Sequence, residues 1–470
     1  MSSTDRNALI IFFIAVIPRL LFHFVTNFIA DDAYITFRYA ENIARDFGFV
    51  YNAGERVLGT STPLFTMILS LLKVFGMHVT NSALVLGFVF SGLTAVVLYR
   101  MALLLRMNYL ALLPPLLYIF FPRAMVAETC GMETGLFVLL TLAGFYQHLK
   151  DKYFYAIGFA TLSVLVRPEG AWLLLLLLAV AIYKDNRHWK NYLLMPLLLI
   201  VPWVLFAWYY FGSPVPHSVP AKLALYSRFG TQPFWENFIY YLNLNNPIGW
   251  VMILGIIFGC LWLFKKQNRG QLMLLWLCGI VLFYTFSRTV IFFWYTGHVI
   301  PVMIILASSA LLYFSEKLNL SVSALKKMPK ILIPLLIILM AYPLYKKFDY
   351  YYDYQTHLEK TNLKAADYLY AHANRESDIA ACEDIGYVGY FSEMKILDRD
   401  GLVSPESVPY NRAGYYYQLI DDYKPDWVGV TTGSPNSQFC SDSLFLRDYR
   451  LEKEFLYNSN GYLIYSRIKN

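Results

Sequence analysis

Charge is scarce in this chain. Asp, Glu, Lys and Arg make up 15% of its 470 residues, while 57% are hydrophobic and 18% aromatic; soluble domains carry about 25% charge. This excludes a soluble globular protein and implies one embedded in a bilayer. The five cysteines form no metal or redox motif. Cys260 and Cys278 sit in apolar runs and are expected to be small core residues. Cys382 and Cys440 fall in a polar region where an oxidising compartment would permit a bridge that spacing alone does not establish. There is no Gly-rich nucleotide-cradling loop and no internal repeat of the kind that builds many transporters. No small-residue cleavage site follows the first apolar segment, from about Asn7 to Ile29, so it is expected to remain as a helix. The net charge of +7 does not point to nucleic acid, because Lys and Arg gather in short loops between apolar segments.

What the chain does have is apolar runs. Candidate spans read 7–29, 82–105, 109–122, 135–149, 151–167, 170–184, 191–211, 248–264, 271–287, 291–313 and 331–346, about eleven transmembrane helices. Residues 63–75 are apolar but short and carry Lys73, which suits an interfacial or half-inserted helix. With a cytoplasmic N-terminus, the inner loops hold Arg106, Lys150, Lys152, Lys184, Arg187, Lys190, Lys265, Lys266, Arg269, Lys317, Lys326, Lys327 and Lys330. The short outer loops hold chiefly Arg123, Arg167 and Arg288. The positive-inside bias therefore places the first loop, residues 31–62, and the C-terminus on the non-cytoplasmic side. From about Tyr350 the composition becomes that of a soluble domain. Helices at 356–373, 385–391 and 412–423 alternate with strands at 378–382, 395–397 and 427–431, before a closing hairpin of 449–457 and 462–466. The expected fold is a polytopic α-helical membrane domain, residues 1–348, followed by a soluble α/β extracytoplasmic domain, residues 349–470.

The stretch from Asp31 to Pro63, DDAYITFRYAENIARDFGFVYNAGERVLGTSTP, leaves the first span with two adjacent carboxylates. Like charges at the mouth of a membrane cavity raise each other's cost of ionisation. A simpler reading makes Asp31 an N-cap and Asp32 a complement to the helix dipole. Ala33, Phe37, Ala40, Ile43, Ala44 and Phe47 then share one side of a helix, and Arg38, Glu41, Asn42, Arg45 and Asp46 the other. The pattern predicts an amphipathic helix along the membrane surface, ended by Gly48, with a turn at Asn52-Ala53-Gly54.

Asp31-Asp32-Ala33-Tyr34-Ile35, Arg38-Tyr39-Ala40, Asn52-x-Gly54-Glu55-Arg56-Val57-x-Gly59 and Ser61-x-Pro63-Leu64 resemble the first periplasmic loop of the arabinofuranosyltransferase-like membrane glycosyltransferases. That family includes the terminal arabinofuranosyltransferases of mycobacterial cell walls and lies in the GT-C superfamily. Further segments resemble it too: Gly131-Met132-Glu133-Thr134, Arg167-Pro168-Glu169-Gly170, and the Pro-rich loop that carries His217 and ends at Ala221-Lys222. Near the C-terminus, Gly386-Tyr387-x-Gly389-Tyr390-Phe391, Asp398 to Leu402 and Lys424-Pro425-Asp426 do so as well. Trp294 to Pro301 departs from the family pattern, with His298 near an expected Arg and Arg288 as an alternative.

The resemblance implies a glycosyltransferase of the bacterial inner membrane, working on the extracytoplasmic face. Its donor would be a polyprenyl-phosphate-linked sugar and its acceptor a cell-envelope glycan or lipid, with no nucleotide-sugar. It makes Asp31 and Asp32 the catalytic carboxylates, Asp31 the reactive one. Arg38, Glu133, Arg167, Glu169, His217, Lys222, Arg288 and His298 become candidates for holding the donor phosphate or substrate. Arg would grip phosphate bidentately. By itself Arg167 could equally pair with Glu169, and His217 or Lys222 could be ordinary interfacial residues. The metal question stays open: Asp31, Asp32 and Glu133 would supply the hard oxygen ligands that Mg²⁺ or Ca²⁺ prefers. A competing reading is a transporter or flippase for a lipid-linked glycan.

Overall fold

The structure, a computed structural model, describes residues 2–226, 234–242, 244–245, 247–266, 270–287 and 290–469. Contacts divide the chain into two compact units. The first comprises Met1–Asn27, Ala83–Trp203 and Gln232–Tyr350; the second comprises Phe28–Ser82, Val204–Thr231 and Tyr351–Asn470.

The apolar runs become helices. In chain order they are α1 (Ser3–Thr26), α2 (Asp31–Ala44), α3 (Pro63–Val74), α4 (Val79–Leu104), α5 (Leu113–Ile119) and α6 (Pro122–Thr129). Next come α7 (Thr134–Leu149), α8 (Tyr153–Val166), α9 (Gly170–Lys184), α10 (Trp189–Phe211), α11 (Ser218–Tyr226) and α12 (Phe234–Tyr241). They are followed by α13 (Pro247–Lys265), α14 (Gln271–Phe286), α15 (Phe293–Gly297), α16 (Ile300–Ser308), α17 (Ala310–Lys317) and α18 (Val322–Leu358). Among the described residues, six helical stretches are long and apolar enough to cross a bilayer, and seven if one bent pair counts as a span. The chain is thus a multi-pass membrane protein. Helices α7, α8, α9 and α14 match expected spans in position but have only 14 to 16 residues, or about 21–24 Å at 1.5 Å per residue.

One expected span is broken at a bend, and another is interrupted in its helical bonding along a single stretch. The helical stretch Asn108–Ile119 meets α6 at a 59° bend, because Pro122 has no N–H to continue the ladder of α5. The stretch Phe293–Lys317 is divided into α15, α16 and α17, with Pro301 in the first turn of α16. Small residues bring α13 against α16: a Cβ on Gly259 would stand 2.1 Å from the Leu306 carbonyl oxygen, the kind of close approach that Gly permits between membrane helices.

In the second unit, α3 is 12 residues long, about 18 Å, and too short to span. Helix α18 leads through a π-turn at Glu359–Leu363 into α19 (Lys364–His372). After it come β1 (Ile379–Cys382), α20 (Ile385–Ser392), β2 (Lys395–Asp398), α21 (Ser407–Ala413), α22 (Tyr416–Tyr423), β3 (Trp427–Thr431), β4 (Tyr449–Tyr457) and β5 (Asn460–Arg467). The sheet order is β2-β1-β3-β5-β4. β2, β1 and β3 run parallel, and the β4/β5 hairpin completes the sheet antiparallel. Ala381, Leu397, Val428, Val430, Leu419, Ile420 and Phe445 form its core. Cys382 and Cys440 are not joined by a disulfide.

Helix α2 departs from its expected setting. Ala33, Phe37, Tyr39 and Ala40 are wholly buried, and Glu41 on the polar side is only 8% exposed. Helices α3 and α20 both pack against it: Phe37 meets Tyr390 of α20, while Glu41 pairs with Lys73 of α3 at 2.9 Å and Arg38 donates to the Gly389 and Met394 carbonyls, so both sides meet protein and the helix does not lie open along a membrane surface. It ends at Ala44, with Asp46 and Gly48 both at positive φ.

Candidate active site

Asp31 does not cap its own helix. Ala30 takes the cap position of α2 and no side chain bonds there. Both Asp31 oxygens instead accept backbone N–H groups at the start of α20: Oδ2 from Gly386 at 3.0 Å and Oδ1 from Tyr387 at 2.7 Å. An absent side chain makes this approach possible, since a Cβ on Gly386 would lie 2.0 Å from the Asp31 carbonyl oxygen and 2.5 Å from its Cγ. Asp384, in the cap position of α20, accepts the Thr431 hydroxyl at 2.6 Å. The Asp31 carboxyl is pushed up to about 8, first by desolvation and then by the Asp384 charge, against the two N–H groups that favour its ionised form. Desolvation and then Glu383 raise Asp384 as well.

Asp32 points elsewhere. It is one-third exposed, with the Lys222 ammonium 4.0 Å from its Oδ2. His217 belongs to the same unit through its backbone N–H, which donates to the Leu58 carbonyl at 2.7 Å. Partial burial of its ring lowers the pKa and favours neutral imidazole. Arg38 is not an open phosphate site. Its Nε donates to the Tyr51 carbonyl at 2.8 Å, and its other nitrogens donate to the carbonyls of Gly389 and Met394 and to Asn52 Oδ1. A fork spent on four oxygens of the protein holds the loop in place.

The first unit gathers four more of the expected residues. Arg167, 4% exposed, donates to Glu133 at 2.8 Å, and its Nη2 and Nε donate to Glu169 at 2.7 and 3.2 Å. Tyr284 donates to the same Glu169 oxygen. His298 is fully buried, with its Nε2 3.1 Å from the Tyr241 hydroxyl and its ring against Tyr284. Two carboxylates thus occupy the Arg167 fork, in an internal ion-pair cluster that joins α7 to the α8–α9 turn. Arg288 lies outside the described residues. Among the described residues no group of three His, Cys, Asp or Glu side chains is arranged to hold a metal. Each Asp31 oxygen takes one backbone N–H, and Asp32 faces the Lys222 ammonium.

Two features escaped the sequence reading. Asp384 follows β1 directly, where ligand-facing residues collect in parallel sheets, and that strand was the available signal. Arg19, inside the first apolar run, and Glu128, between two of them, are both wholly buried, 3.5 Å apart. The Tyr118 hydroxyl donates to Glu128, and Arg19 Nη1 donates to the Ile119 carbonyl at 2.5 Å. A charge within an apolar segment, Arg19, was the available signal.

Comparison with known proteins adds to this geometry. Residues 348–465 match a family described as a domain of unknown function, DUF8728. Over essentially its whole length the chain is similar to crystal structures of ArnT from Cupriavidus metallidurans. With the one bound to undecaprenyl phosphate it shares 11% identity and a TM-score of 0.60, over 99% of this chain and 97% of that one. With the apo structure the values are 12% and 0.59 over the same shares. The fold is that of these ArnT structures. A terminal β-(1→2)-arabinofuranosyltransferase of Mycobacterium tuberculosis is 31% identical over an alignment of 277 positions that covers 52% of this chain and 42% of that relative. The match therefore spans less than half of the curated relative's length. These likenesses bear out the resemblance to the arabinofuranosyltransferase-like glycosyltransferases.

Proposed function

We propose that this protein is a membrane glycosyltransferase that moves a sugar, with arabinofuranose the leading candidate, from a polyprenyl-phosphate carrier to a cell-envelope glycan or lipid. The observation that carries this reading is the sequence match to an arabinofuranosyltransferase together with an ArnT-like fold along the whole chain, one ArnT structure holding undecaprenyl phosphate. In this reading the protein sits in a bacterial inner membrane with about eleven membrane-embedded helices in residues 1–348. Its Asp31 loop and α/β domain, residues 349–470, lie on the non-cytoplasmic side.

Asp31 is the proposed base. Two N–H groups fix its orientation, and a carboxyl raised toward neutrality accepts a proton better than an ordinary one. As the acceptor hydroxyl attacks the anomeric carbon, its proton passes to Asp31, the bond from that carbon to the phosphate oxygen breaks, and polyprenyl phosphate leaves. Lys222, beside Asp32, is the proposed partner of the leaving phosphate. The testing experiment is mass analysis of envelope glycan and lipid-linked sugars in cells lacking this protein. Glycan short of one kind of sugar residue, with the polyprenyl-phosphate sugar accumulating, supports the reading. Unchanged glycan and unchanged lipid-linked sugars would contradict it.

A further inference from the structure

Two of the stretches that carry the resemblance, residues 31–64 and 386–402, lie far apart in the chain, and in the second unit they bond to each other. Asp31 takes the N–H groups of Gly386 and Tyr387. Tyr51 donates its hydroxyl to the Ile385 carbonyl at 2.7 Å. Asn52 plays the part of a missing strand along the sheet edge: its Nδ2 donates to the Ile396 carbonyl at 2.8 Å, and its Oδ1 accepts the Ile396 N–H at 3.0 Å. Since β2 is an edge strand, this side chain satisfies backbone groups that would otherwise be unpaired.

Glycines set the approach. Besides Gly386 against Asp31, a Cβ on Gly389 would fall 1.8 Å from the Tyr51 hydroxyl oxygen, and one on Gly59 would fall 2.5 Å from Val403 and 2.9 Å from the Leu402 carbonyl oxygen. Three glycines at one seam, each with a neighbour closer than a side chain tolerates, make a fitted joint. Nothing in the sheet's own core requires it, because that core lies among Ala381, Val428, Val430 and Phe445.

We propose that residues 385–396 of the C-terminal domain are a positioning element for the catalytic loop, with Gly386 and Asn52 as its positioning residues. Helix α20 holds the Asp31 carboxylate at its N-terminus, and the Asn52 bonds to β2 fix the loop behind it. The inference rests on the glycosyltransferase reading for its kinetic consequence and on geometry alone for the joint. The domain of unknown function then serves to orient the reactive carboxylate to within the few tenths of an ångström that efficient proton transfer needs.

The test combines kinetics with hydrogen exchange on the full-length protein in detergent or nanodiscs, with polyprenyl-phosphate arabinofuranose as donor probe. Gly386→Ala should lower kcat at least tenfold with the donor KM within about twofold, and should speed amide exchange across residues 31–44. Asn52→Ala, a gentler change, should move both quantities in the same direction by several-fold. Gly389→Ala should also lower kcat, and Tyr51→Phe in that background should restore part of it by removing the oxygen in the way. If Gly386→Ala fails to insert, Asn52→Ala and the Gly389 pair decide. Wild-type kcat in the variants, or an equal loss in kcat and apparent donor affinity with exchange at 31–44 unchanged, would overturn the proposal. If the wild type itself transfers no sugar from this probe, the glycosyltransferase reading loses support for that donor, and exchange at 31–44 alone still upholds or overturns the joint.

Discussion

Asp31 and Asp32 are neighbours in sequence and opposites in setting, one anchored on α20 and the other turned to Lys222. Their substitutions should therefore differ in kind. A general base contributes typically 10²–10⁴-fold to rate, so Asp31→Asn should cut transfer at least about a hundredfold while the protein still inserts. Asp32→Asn should act mainly by changing the balance around Lys222, with a smaller loss. Near-normal transfer by Asp31→Asn with Asp32→Asn inactive would exchange the roles. A second consequence concerns pH. With its folded pKa at about 8 against an ordinary value of 3.8, Asp31 binds more protons in the folded state, and the stability it contributes is lost as pH rises through the folded value. The melting temperature of Asp31→Asn relative to wild type should thus rise from pH 5 to pH 8, and a flat difference across that range would mean that the carboxyl is not perturbed. The acidic pair itself was legible as sequence because two carboxylates next to an apolar run are costly. Its capping partner was not, because the N–H groups it uses lie 355 positions away.

At the scale of elements, periodicity carried the strands well. β1, β2, β3 and the hairpin fall within a few residues of their expected places, since short apolar runs between Asp, Gly and Asn leave little choice. Helix α2 shows where the same reasoning stops. Its two-sided pattern is real, but a polar face can be polar in order to meet water or to meet buried carbonyls, and Arg38 meets carbonyls. The Arg167 cluster has the same ambiguity, resolved toward an internal ion pair. The Arg19–Glu128 pair, which ties α1 to α6, predicts a plain energetic result. Arg19→Met strands a buried carboxylate and should cost about 3–5 kcal/mol, whereas Arg19→Met combined with Glu128→Leu should recover most of that. Thermal unfolding of the single and double variants is the check; equal losses in both would show that the pair is not what holds these helices together.

For the whole molecule, the sequence marked the apolar runs and a change of composition near Tyr350. Contacts instead group the Asp31 loop and the α10–α11 region with the C-terminal sheet, because residues distant along the chain close one compact unit. The proposed orientation rests on the Lys and Arg bias and is open to direct measurement. A reporter active only in the cytoplasm, fused after Asn470, should be silent, and one fused in the loop at Lys265 should be active. The reverse pattern would put the Asp31 loop on the wrong face for a lipid-linked donor. The most direct test of the central claim is transfer by the purified protein with a single donor supplied at a time. Radiolabelled polyprenyl-phosphate arabinofuranose should label an envelope-glycan acceptor, with Asp31→Asn at background, and a nucleotide-linked sugar should give no product; transfer from the nucleotide sugar with the lipid donor ignored would contradict the account.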